Sequence, residues 1–488
     1  MPHPIDLRAA SRQALIDSGF IADAPGEVEV EVAKLTDDPP RLAAGAQDLR
    51  QLPWSSIDND SSKDLDQLEI ADESDGNVRV RIAIADVDAL VPKGSETDKL
   101  ASANSTSVYT GIATYPMLPE RLSTDLTSLR EGVDRAAVII EFVAAPDGTI
   151  KSRTIYSALV HNYAKLAYAT VGAWLDGRGV LPPSATKEIQ DQVHLQQKVA
   201  DSLRAMRKKC GALDLETIEA QSVVHPDDSV SIELIAKTKA SHLIEDFMIA
   251  ANVAMAEFLD EHKSPSIRRV VRTPERWNRI VALAATLGET LPAEPDSGAL
   301  EDFLSKRKKD DPDHFADLSL SVVKLIGPGE YALHIPGGEN PGHFGLATHD
   351  YTHSTAPNRR FADLVTQRLV KAVISEKPAP YTNDELDAIA RHCTEREDAA
   401  RKVERQVRKI AAAVSMSDHI GETFDAIVTG VNKNGTFVRL VRPPVEGRVT
   451  DGEEGMDVGE KWKVRLLSTD ADRGFVDFAG IQQVNALR

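Results

Sequence analysis

The amino-acid sequence predicts an α+β protein that ends in a separate, small β-barrel. Two long segments, 187–209 and 383–417, have the residue pattern of helices. Strands are predicted from Val78 to about Asp86, where the pattern alternates before it becomes apolar, and from Ala136 to Val143, which is apolar throughout. Helices and antiparallel strands therefore share the larger part of the chain, and a change of composition at Gly421 marks the start of another domain.

The C-terminal segment 419–488 is predicted to form a five-stranded barrel. Turns rich in Gly, Asn and Asp separate five short strand-like pieces, which read FDAIVTGV, GTFVRLV, VEGRVT, KWKVRLL and GFVDFAG. Five short strands in about 60 residues suit a small closed barrel, and the oligonucleotide-binding (OB) barrel has that number of strands.

Residues 1–50 are predicted to form a small N-terminal helix/strand cap, which leaves 51–418 as the largest domain. A short amphipathic helix is expected within 5–19. The strict alternation from Glu27 to Val32 predicts a half-buried strand. The residues of this cap indicate no function.

Composition and charge limit the class of protein. The chain has 488 residues, with 57 basic and 76 acidic side chains and a net charge of -19, which argues against broad non-specific binding to nucleic acid. A nucleic-acid enzyme remains compatible with this charge if its basic groups line one recessed channel. Two cysteines imply no disulfide framework, and the sequence contains neither a signal peptide nor a membrane span. We expect a soluble, cytoplasmic protein without membrane contact.

The most informative stretch is SSIDNDSSKDLDQLE, from Ser55 to Glu69. It holds five carboxylates and one positive charge, with the acidic residues at Asp58, Asp60, Asp64, Asp66 and Glu69. Carboxylates this dense repel one another, and a bound Mg²⁺ or Mn²⁺ is the usual reason for holding them together. If Asp64 and Asp66 begin a strand, they point to one face, and Asp58 closes the site from the preceding turn.

Two other interpretations of this stretch are a solvated acidic loop and a calcium loop. Composition alone does not separate a metal site from a solvated loop. The calcium loop fails because its sixth position must be Gly and here is Lys63, and because Pro53 interrupts the helix that should precede it.

Basic and buried charged residues occur later in the chain. Asn358 is predicted to cap a helix from Arg359 to Ile374, where a helix N-terminus and the Arg359–Arg360 pair suit a phosphate. The alternative is a surface arginine pair in salt bridges. Glu245 lies in an apolar helix-like segment that runs from Ile232 to Asp260, either as a functional group or on a solvent-facing flank.

Several segments in order resemble the ribonuclease II/R (RNB) exoribonucleases over roughly residues 50–480. In the first half these are Ile57-Asp58 through Asp64-Leu65-Asp66, Ile84-Ala85-Asp86, Pro116-Met-Leu-Pro119, Leu122-Ser-Thr-Asp-Leu126 and Ser128-Leu129. In the second half they are Ile244-Glu-Asp-Phe-Met-Ile-Ala-Ala-Asn252, His343-Phe-Gly-Leu346 and Thr355-Ala-Pro-Asn-Arg-Arg-Phe-Ala-Asp-Leu364. The tail resembles an S1 RNA-binding domain, on Gly435-Thr-Phe-Val438 and Val445-Glu-Gly447.

This resemblance implies Mg²⁺-dependent hydrolysis of single-stranded RNA from the 3′ end to nucleoside 5′-monophosphates. We also expect Mn²⁺ to be a possible substitute for Mg²⁺, and we expect the protein to be a monomer. The implied catalytic residues are Asp58, Asp64, Asp66 and Arg359. The implied metal ligands are Asp58, Asp64, Asp66 and Gln67. The implied substrate-binding residues are Tyr109, Tyr168, Glu245, Arg360, Glu404 and Phe437.

The chain departs from the family pattern at three places. Gln67 replaces an Asp, which removes one negative charge from the metal site. The arginine motif has Ala356 and Asn358 where the family more often has Ser and Ile. Two N-terminal cold-shock barrels do not fit into about 50 residues. An RNA-binding protein that has lost turnover through Gln67 is therefore the main alternative. A phosphoesterase of small molecules is the other.

Overall fold

The computed structural model describes residues 6–37, 45–216, 219–225, 229–235, 237–433 and 435–484. The predicted α+β class is confirmed: a large domain that contains both helices and β-strands is followed by a closed five-stranded barrel. Within the described residues, no helix is both long and apolar enough to cross a membrane.

The helices of the described residues are, in chain order, α1 (Leu7–Asp17), α2 (Gly26–Ala33), α3 (Glu96–Asn104), α4 (Tyr168–Leu175), α5 (Lys187–Lys209), α6 (Lys239–Glu261), α7 (Trp277–Thr286), α8 (Ser297–Asp310), α9 (Pro312–Ile326), α10 (Phe361–Ile374) and α11 (Asn383–Ser415). The strands are β1 (Gln47–Asp48), β2 (Trp54–Asp58), β3 (Gln67–Ser74), β4 (Asn77–Ala85), β5 (Val108–Tyr109), β6 (Thr114–Tyr115), β7 (Asp134–Ala144), β8 (Ile150–Ala167), β9 (Glu219–Val224), β10 (Val230–Ile235), β11 (Ser266–Val270), β12 (Glu330–His334), β13 (Thr423–Asn432), β14 (Gly435–Leu440), β15 (Glu446–Asp451), β16 (Lys461–Asp470) and β17 (Phe475–Gln483).

The main sheet has the strand order β1-β8-β2-β3-β4-β7, and β8 also pairs with β7. The first part of the long strand β8 runs antiparallel to β7, and its last part runs parallel to β2, with Asp58 opposite Ala167. The sheet therefore closes on itself, and the C-terminal end of β2 lies beside the end of β8. Strand β1, which falls in the predicted cap, pairs with β8 at Gln47 and Asp48.

Helix α6 packs against this sheet. Phe247 of α6 meets Phe142 of β7 edge to face, with ring centroids 6.4 Å apart. Val80 and Ile82 of β4 belong to the same fully buried apolar core. One face of β3, β4 and β7 is thus covered by helices, and residues of β3 that point to this face are shielded from water.

The N-terminal segment differs from its prediction, because Gly26–Ala33 is a helix and not a strand. The alternating valines fit both periods, since Val28 and Val32 are also four residues apart and lie on one helix face. Both are buried, whereas Val30 between them is 57% exposed. Two glutamates in the first turn further favour the helix, because they complement its positive N-terminal end.

The segment predicted as one interrupted helix from Ile232 to Asp260 is a strand followed by a helix. Strand β10 pairs antiparallel with β9, and α6 begins at Lys239 after a reciprocal capping box between Thr238 and Ser241. The buried side chain of Ile232 belongs to the strand, so its apolar character did not indicate a helix.

The barrel closes in the order β13-β14-β15-β17-β16, with β15 and β17 parallel. Its interior is apolar, and the same buried cluster continues into α11 and α1. Gly474 approaches α11 so closely that an added Cβ would lie 2.8 Å from the Cβ of Lys409. The barrel therefore packs directly on the last helix of the preceding domain.

Candidate active site

The acidic stretch connects β2 to β3 at the end of the sheet where β8 gives way to α4. Asp58 is the last residue of β2, and Tyr168, the first residue of α4, follows the residue opposite it. Asp64 and Asp66 lie in an extended segment just before β3, which begins at Gln67 and not at Asp64 as the sequence suggested.

The buried residue Leu65 orients these two aspartates. Its N–H donates to Ser128 Oγ at 3.0 Å, and its carbonyl accepts from Leu129 N–H at 3.0 Å. Because the segment is extended and Leu65 points into the core, its neighbours Asp64 and Asp66 point the other way. The sequence prediction that these two side chains share a face follows from this anchoring.

Asp66 is the most deeply buried of the three predicted aspartates, with 2% of its surface exposed. Its carboxylate accepts from Arg359 Nε and from Asn358 N–H, both at 3.2 Å. Burial raises the pKa of Asp66 from 3.8 to about 7, and Arg359 opposes this effect while the charges of Asp64 and Asp363 add to it. The negative charge of Asp66 is therefore incompletely compensated by the protein.

The two arginines before α10 have different environments. The Arg359 side chain is 46% exposed and pairs with Asp66, so it borders the site from the solvent side. Arg360 donates to Asp363 Oδ1 at 2.7 Å, and the Asp363 side chain is fully buried. Arg359 is thus the one that faces the aspartates, while Arg360 joins the start of α10 to the core.

Asn358 does not cap a helix, in contrast to its prediction. Helix α10 begins at Phe361, after a turn in which the N–H groups of Arg359 and Arg360 both donate to Ala356 O. The side chain of Asn358 is fully buried and accepts from Thr127 Oγ1. Its role is to hold this turn against the segment around Thr127, so that its own N–H reaches Asp66.

Tyr109 links the aspartates to α11. Its hydroxyl donates to Asp64 Oδ2 at 3.1 Å, and its backbone N–H donates to Glu404 Oε1 at 3.0 Å. The residue is 41% exposed, although protein surrounds it densely enough to raise the pKa of its hydroxyl. A side chain that is surrounded by protein yet reached by water is typical of a channel wall.

Tyr168 and Glu245 lie on the other side of the site. Burial raises the pKa of Tyr168, and the charges of Asp58 and Glu69 add to the effect, so its hydroxyl lies within electrostatic reach of both carboxylates. Hydrogen bonding to His242, with Lys237 Nζ 3.2 Å away, lowers the pKa of Glu245 to about 2. Glu245 is half exposed, and the structure therefore gives it the solvent-facing position that the sequence left open.

Phe437 belongs to the C-terminal barrel. It lies on β14 of the barrel, half-buried and in register with Arg448 of β15. The structure thus brings Asp58, Asp64, Asp66, Tyr109, Tyr168, Glu245, Arg359 and Glu404 together, and it places Phe437 on the barrel.

Glu69 was named in the acidic run but was missed as a site residue. Its side chain is completely buried, and neither carboxylate oxygen has a hydrogen-bond partner. Gln67, two residues earlier on the same side of β3, is also buried. The available signal was the alternation of side chains along β3. It places Glu69 on the same side of the strand as Gln67, the residue that follows Asp66.

The residues fit a hard divalent cation by chemistry. Carboxylate and amide oxygens are the ligands that Mg²⁺ prefers, and Glu69 offers two buried oxygens that lack partners. Among the residues that the structure describes, no three His, Cys, Asp or Glu side chains converge closely enough to hold a metal ion. Asp64 and Asp66 are instead engaged by Tyr109 and Arg359.

Comparison with known families identifies the larger domain. Residues 46–376 match the model of the RNB domain. The chain belongs to the RNB family. Residues 422–480 match the RNase II-type exonuclease C-terminal S1 domain, which agrees with the barrel. The resemblance inferred from sequence motifs is therefore confirmed.

Curated RNB relatives include ribonuclease R proteins from several bacteria. The chain is 29% identical over 499 residues to ribonuclease R 1 of Lactococcus lactis, which covers 96% of this chain and 60% of that protein. It is 30% identical over 505 residues to ribonuclease R of Thermotoga maritima, and this match covers 94% of this chain and 69% of the Thermotoga protein. The chain spans 59–61% of the length of several such relatives, including the Escherichia coli protein.

Solved structures with the same fold include an RNase R and a protein described as a pseudonuclease. The apo form of Mycoplasma genitalium RNase R matches with a TM-score of 0.89 at 24% identity, over 98% of this chain and 78% of that one. Yeast Ssd1, described as a pseudonuclease, matches with a TM-score of 0.70 at 18% identity, over 94% and 58%. These likenesses establish the fold, and the chemistry must be argued from the residues of this chain.

Proposed function

We propose that the chain is a metal-dependent 3′→5′ exoribonuclease that hydrolyses single-stranded RNA and releases nucleoside 5′-monophosphates. Membership of the RNB family supports the proposal, as do the relatives named ribonuclease R. The observation that carries it is the meeting of Asp66, a buried carboxylate with incompletely compensated charge, and Arg359, an accessible guanidinium. A phosphodiester hydrolase needs both, because the carboxylates attract a cation and the arginine attracts phosphate.

Asp58, Asp64 and Asp66, with the amide oxygen of Gln67, would hold the cation, for which we propose Mg²⁺ with Mn²⁺ as a substitute. A divalent cation at such a site supplies activation of water and stabilisation of the leaving oxygen. The present partner of Asp64 is replaceable, since the Tyr109 hydroxyl makes a single hydrogen bond to this carboxylate.

Arg359 positions the phosphate next to these carboxylates. Its Nε donates to Asp66, and the terminal fork of the guanidinium suits the two oxygens of a phosphate. The pair with Asp66 fixes the guanidinium, so a phosphate that reaches it is held beside the aspartates. Arg360 supports this arrangement through Asp363, which also accepts from Ala356 N–H at 2.8 Å.

The two tyrosines serve as surfaces for bases. Burial keeps the pKa of both hydroxyl groups above the ordinary value, so both remain neutral and neither is a proton acceptor near neutral pH. Tyr109 is 41% exposed, and the stacking of bases on an aromatic ring is tolerant of sequence. Tyr168 lies beside Asp58, where the 3′-terminal nucleotide would be held.

A narrow path accounts for an acidic protein that uses RNA. A net charge of -19 disfavours a broad phosphate-binding surface, whereas a channel needs few cations. The barrel, with Phe437, would guide the strand toward the channel. We further propose that the protein is a monomer and that it is cytoplasmic. The two free cysteines support the cytoplasmic location, because disulfides are rare in a reducing compartment.

The test uses a 5′-labelled single-stranded RNA of about 30 nucleotides, which is long enough to contact the barrel and the channel at the same time. It is incubated with Mg²⁺, Mn²⁺ or EDTA, with the chain and with Asp66→Asn. We expect a short labelled end-product and released 5′-monophosphates with either metal, and intact RNA in both controls. Asp75→Asn is the matched control, since Asp75 is exposed in the turn at the far end of β3.

Two other outcomes would contradict the proposal. RNA that is bound but stays intact with both metals would identify a non-catalytic RNA-binding protein. Failure to bind RNA, combined with hydrolysis of a small phosphodiester such as bis(p-nitrophenyl) phosphate, would identify a small-molecule phosphoesterase. A 3′-phosphorylated RNA tests the polarity, because an enzyme that starts at a free 3′ end should be slowed by that block.

A further inference from the structure

Glu69 carries a buried carboxylate that the protein leaves without a partner. Its side chain has no exposed surface, and both Oε1 and Oε2 lack hydrogen bonds. Burying an ionised carboxylate without a partner is costly, so such a group is either kept neutral or paired with a cation. Its β3 neighbours Leu68 and Ile70 are apolar and buried, which would make an apolar residue the simplest choice at this position.

The carboxylate lies beside the candidate active site. Glu69 is opposite Ser55 of β2, whose Oγ is buried and also lacks a hydrogen bond. Burial raises the pKa of Glu69 and the pKa of Tyr168; the charge of Asp58 adds to the first shift, and the charge of Glu69 adds to the second. The three side chains are therefore within electrostatic reach of one another, and the alternation along β3 puts Glu69 on the same side of the strand as Gln67.

Neutral Gln67 occupies the β3 position next to Asp66, on the same side of the strand as Glu69. Two residues along a strand correspond to about 6.6 Å, and Glu is longer than Asp by one methylene. The Glu69 carboxylate therefore lies deeper in the sheet than the Gln67 amide, on the same side of β3 and within electrostatic reach of Asp58. We propose that Glu69 and Asp58 share one divalent cation, to which Glu69 supplies the negative charge that Gln67 lacks.

This inference rests on the proposed function, because it concerns the cation of the same site. A role of Glu69 as a ligand of the cation and a purely structural role predict different effects of Glu69→Gln on cation binding. A neutral, buried glutamic acid would contribute shape alone, and its replacement by the isosteric Gln would leave cation binding unchanged. A ligand of the cation would lose affinity on the same replacement, while the protein without cation would gain stability through removal of an unpaired carboxylate.

The experiment measures Mn²⁺ binding directly, by isothermal titration calorimetry and by the electron paramagnetic resonance signal of free Mn²⁺. It also measures the rise in unfolding temperature caused by Mg²⁺. We expect Glu69→Gln to weaken Mn²⁺ binding at least tenfold and to abolish most of the Mg²⁺-dependent rise. The double variant Gln67→Asp/Glu69→Gln should recover binding, because it moves the carboxylate two residues along the same side of β3. Asp75→Asn is the control.

A second comparison uses Asp58→Asn. If Glu69 and Asp58 share one cation, the losses of affinity in Asp58→Asn and Glu69→Gln should not add in the double variant. Glu69→Ala, with folding checked by circular dichroism, serves if the Gln variant does not fold.

The outcomes separate this inference from the proposed function. If the unmodified chain degrades RNA with Mg²⁺ while Glu69→Gln binds Mn²⁺ with unchanged affinity and stoichiometry, the assignment of Glu69 is wrong and the exoribonuclease proposal stands. Additive losses with Asp58→Asn would likewise overturn the shared cation. If the unmodified chain neither binds Mn²⁺ nor degrades RNA, both proposals fail.

Discussion

Replacing Asp66 by Asn should abolish RNA hydrolysis and at the same time stabilise the fold. Asn keeps the shape of Asp and can still accept the hydrogen bond from Asn358 N–H. It lacks the negative charge that burial disfavours at this position. An active-site residue whose ionised form is costly to the fold is therefore expected to trade stability for function.

The magnitude follows from the pKa of Asp66. Burial raises this pKa from 3.8 to about 7, and each pKa unit is equivalent to 1.36 kcal/mol, so ionised Asp66 costs the folded state about 4 kcal/mol at most. The cost is absent below about pH 4, where Asp66 is protonated in both states. It grows as pH rises, because the unfolded chain ionises first, and it is complete above about pH 7. Asn does not titrate, so the variant gains stability over this window.

Urea-induced unfolding of the chain, Asp66→Asn and Asp75→Asn, in EDTA at pH 5, 6, 7 and 8, measures the effect. We expect the free energy of unfolding of Asp66→Asn to exceed that of the chain by a margin that widens with pH, while Asp75→Asn changes little. Equal or lower stability of Asp66→Asn at pH 8, or a margin independent of pH, would refute the argument that buried charge destabilises this position.

Substitutions at three further residues test other parts of the site. Arg359→Gln should lower kcat/KM on single-stranded RNA by roughly 100-fold or more, because it removes a charged donor to the reacting phosphate; retained turnover would exclude Arg359 from that role. Arg360→Gln strands the buried carboxylate of Asp363, so urea unfolding should show a loss of about 3–5 kcal/mol, whereas an unchanged midpoint would contradict the pairing. Tyr109→Ala should weaken RNA binding, followed by fluorescence anisotropy, by about 1–3 kcal/mol, and Tyr109→Phe should preserve it if stacking is the interaction. Equal losses in both Tyr109 variants would indicate that the hydroxyl matters instead.

Local patterns in the sequence were sufficient for most of the fold. The spacing of apolar residues predicted α5 with its observed limits, and the five barrel strands follow their predicted pieces. Prediction failed where one pattern satisfies two periods. Val28 and Val32 suit a strand at spacing two and a helix at spacing four, and only packing against the rest of the protein decides between them.

The site was predictable to the extent that its residues are close in sequence. Asp58, Asp64 and Asp66 form one stretch, and motif resemblance pointed to Arg359. The partners of these residues were not predictable from local patterns, because the hydroxyl of Tyr109 reaches Asp64 across 45 positions and its backbone reaches Glu404 across 295. Such contacts arise from tertiary packing, and no spacing rule in the sequence encodes them.

Charge balance at Asp66 couples the two ligands that the proposed reaction requires. Arg359 partly compensates Asp66, and Arg359 is also the group that would receive a phosphate. A phosphate that binds to the guanidinium neutralises part of its positive charge. Asp66, Asp58 and the buried Glu69 then carry more uncompensated negative charge, which repels the phosphate. A divalent cation among these carboxylates removes that repulsion and strengthens the attraction of the site for RNA. Binding of cation and RNA must then favour each other by the same factor, since coupling between two binding equilibria is reciprocal.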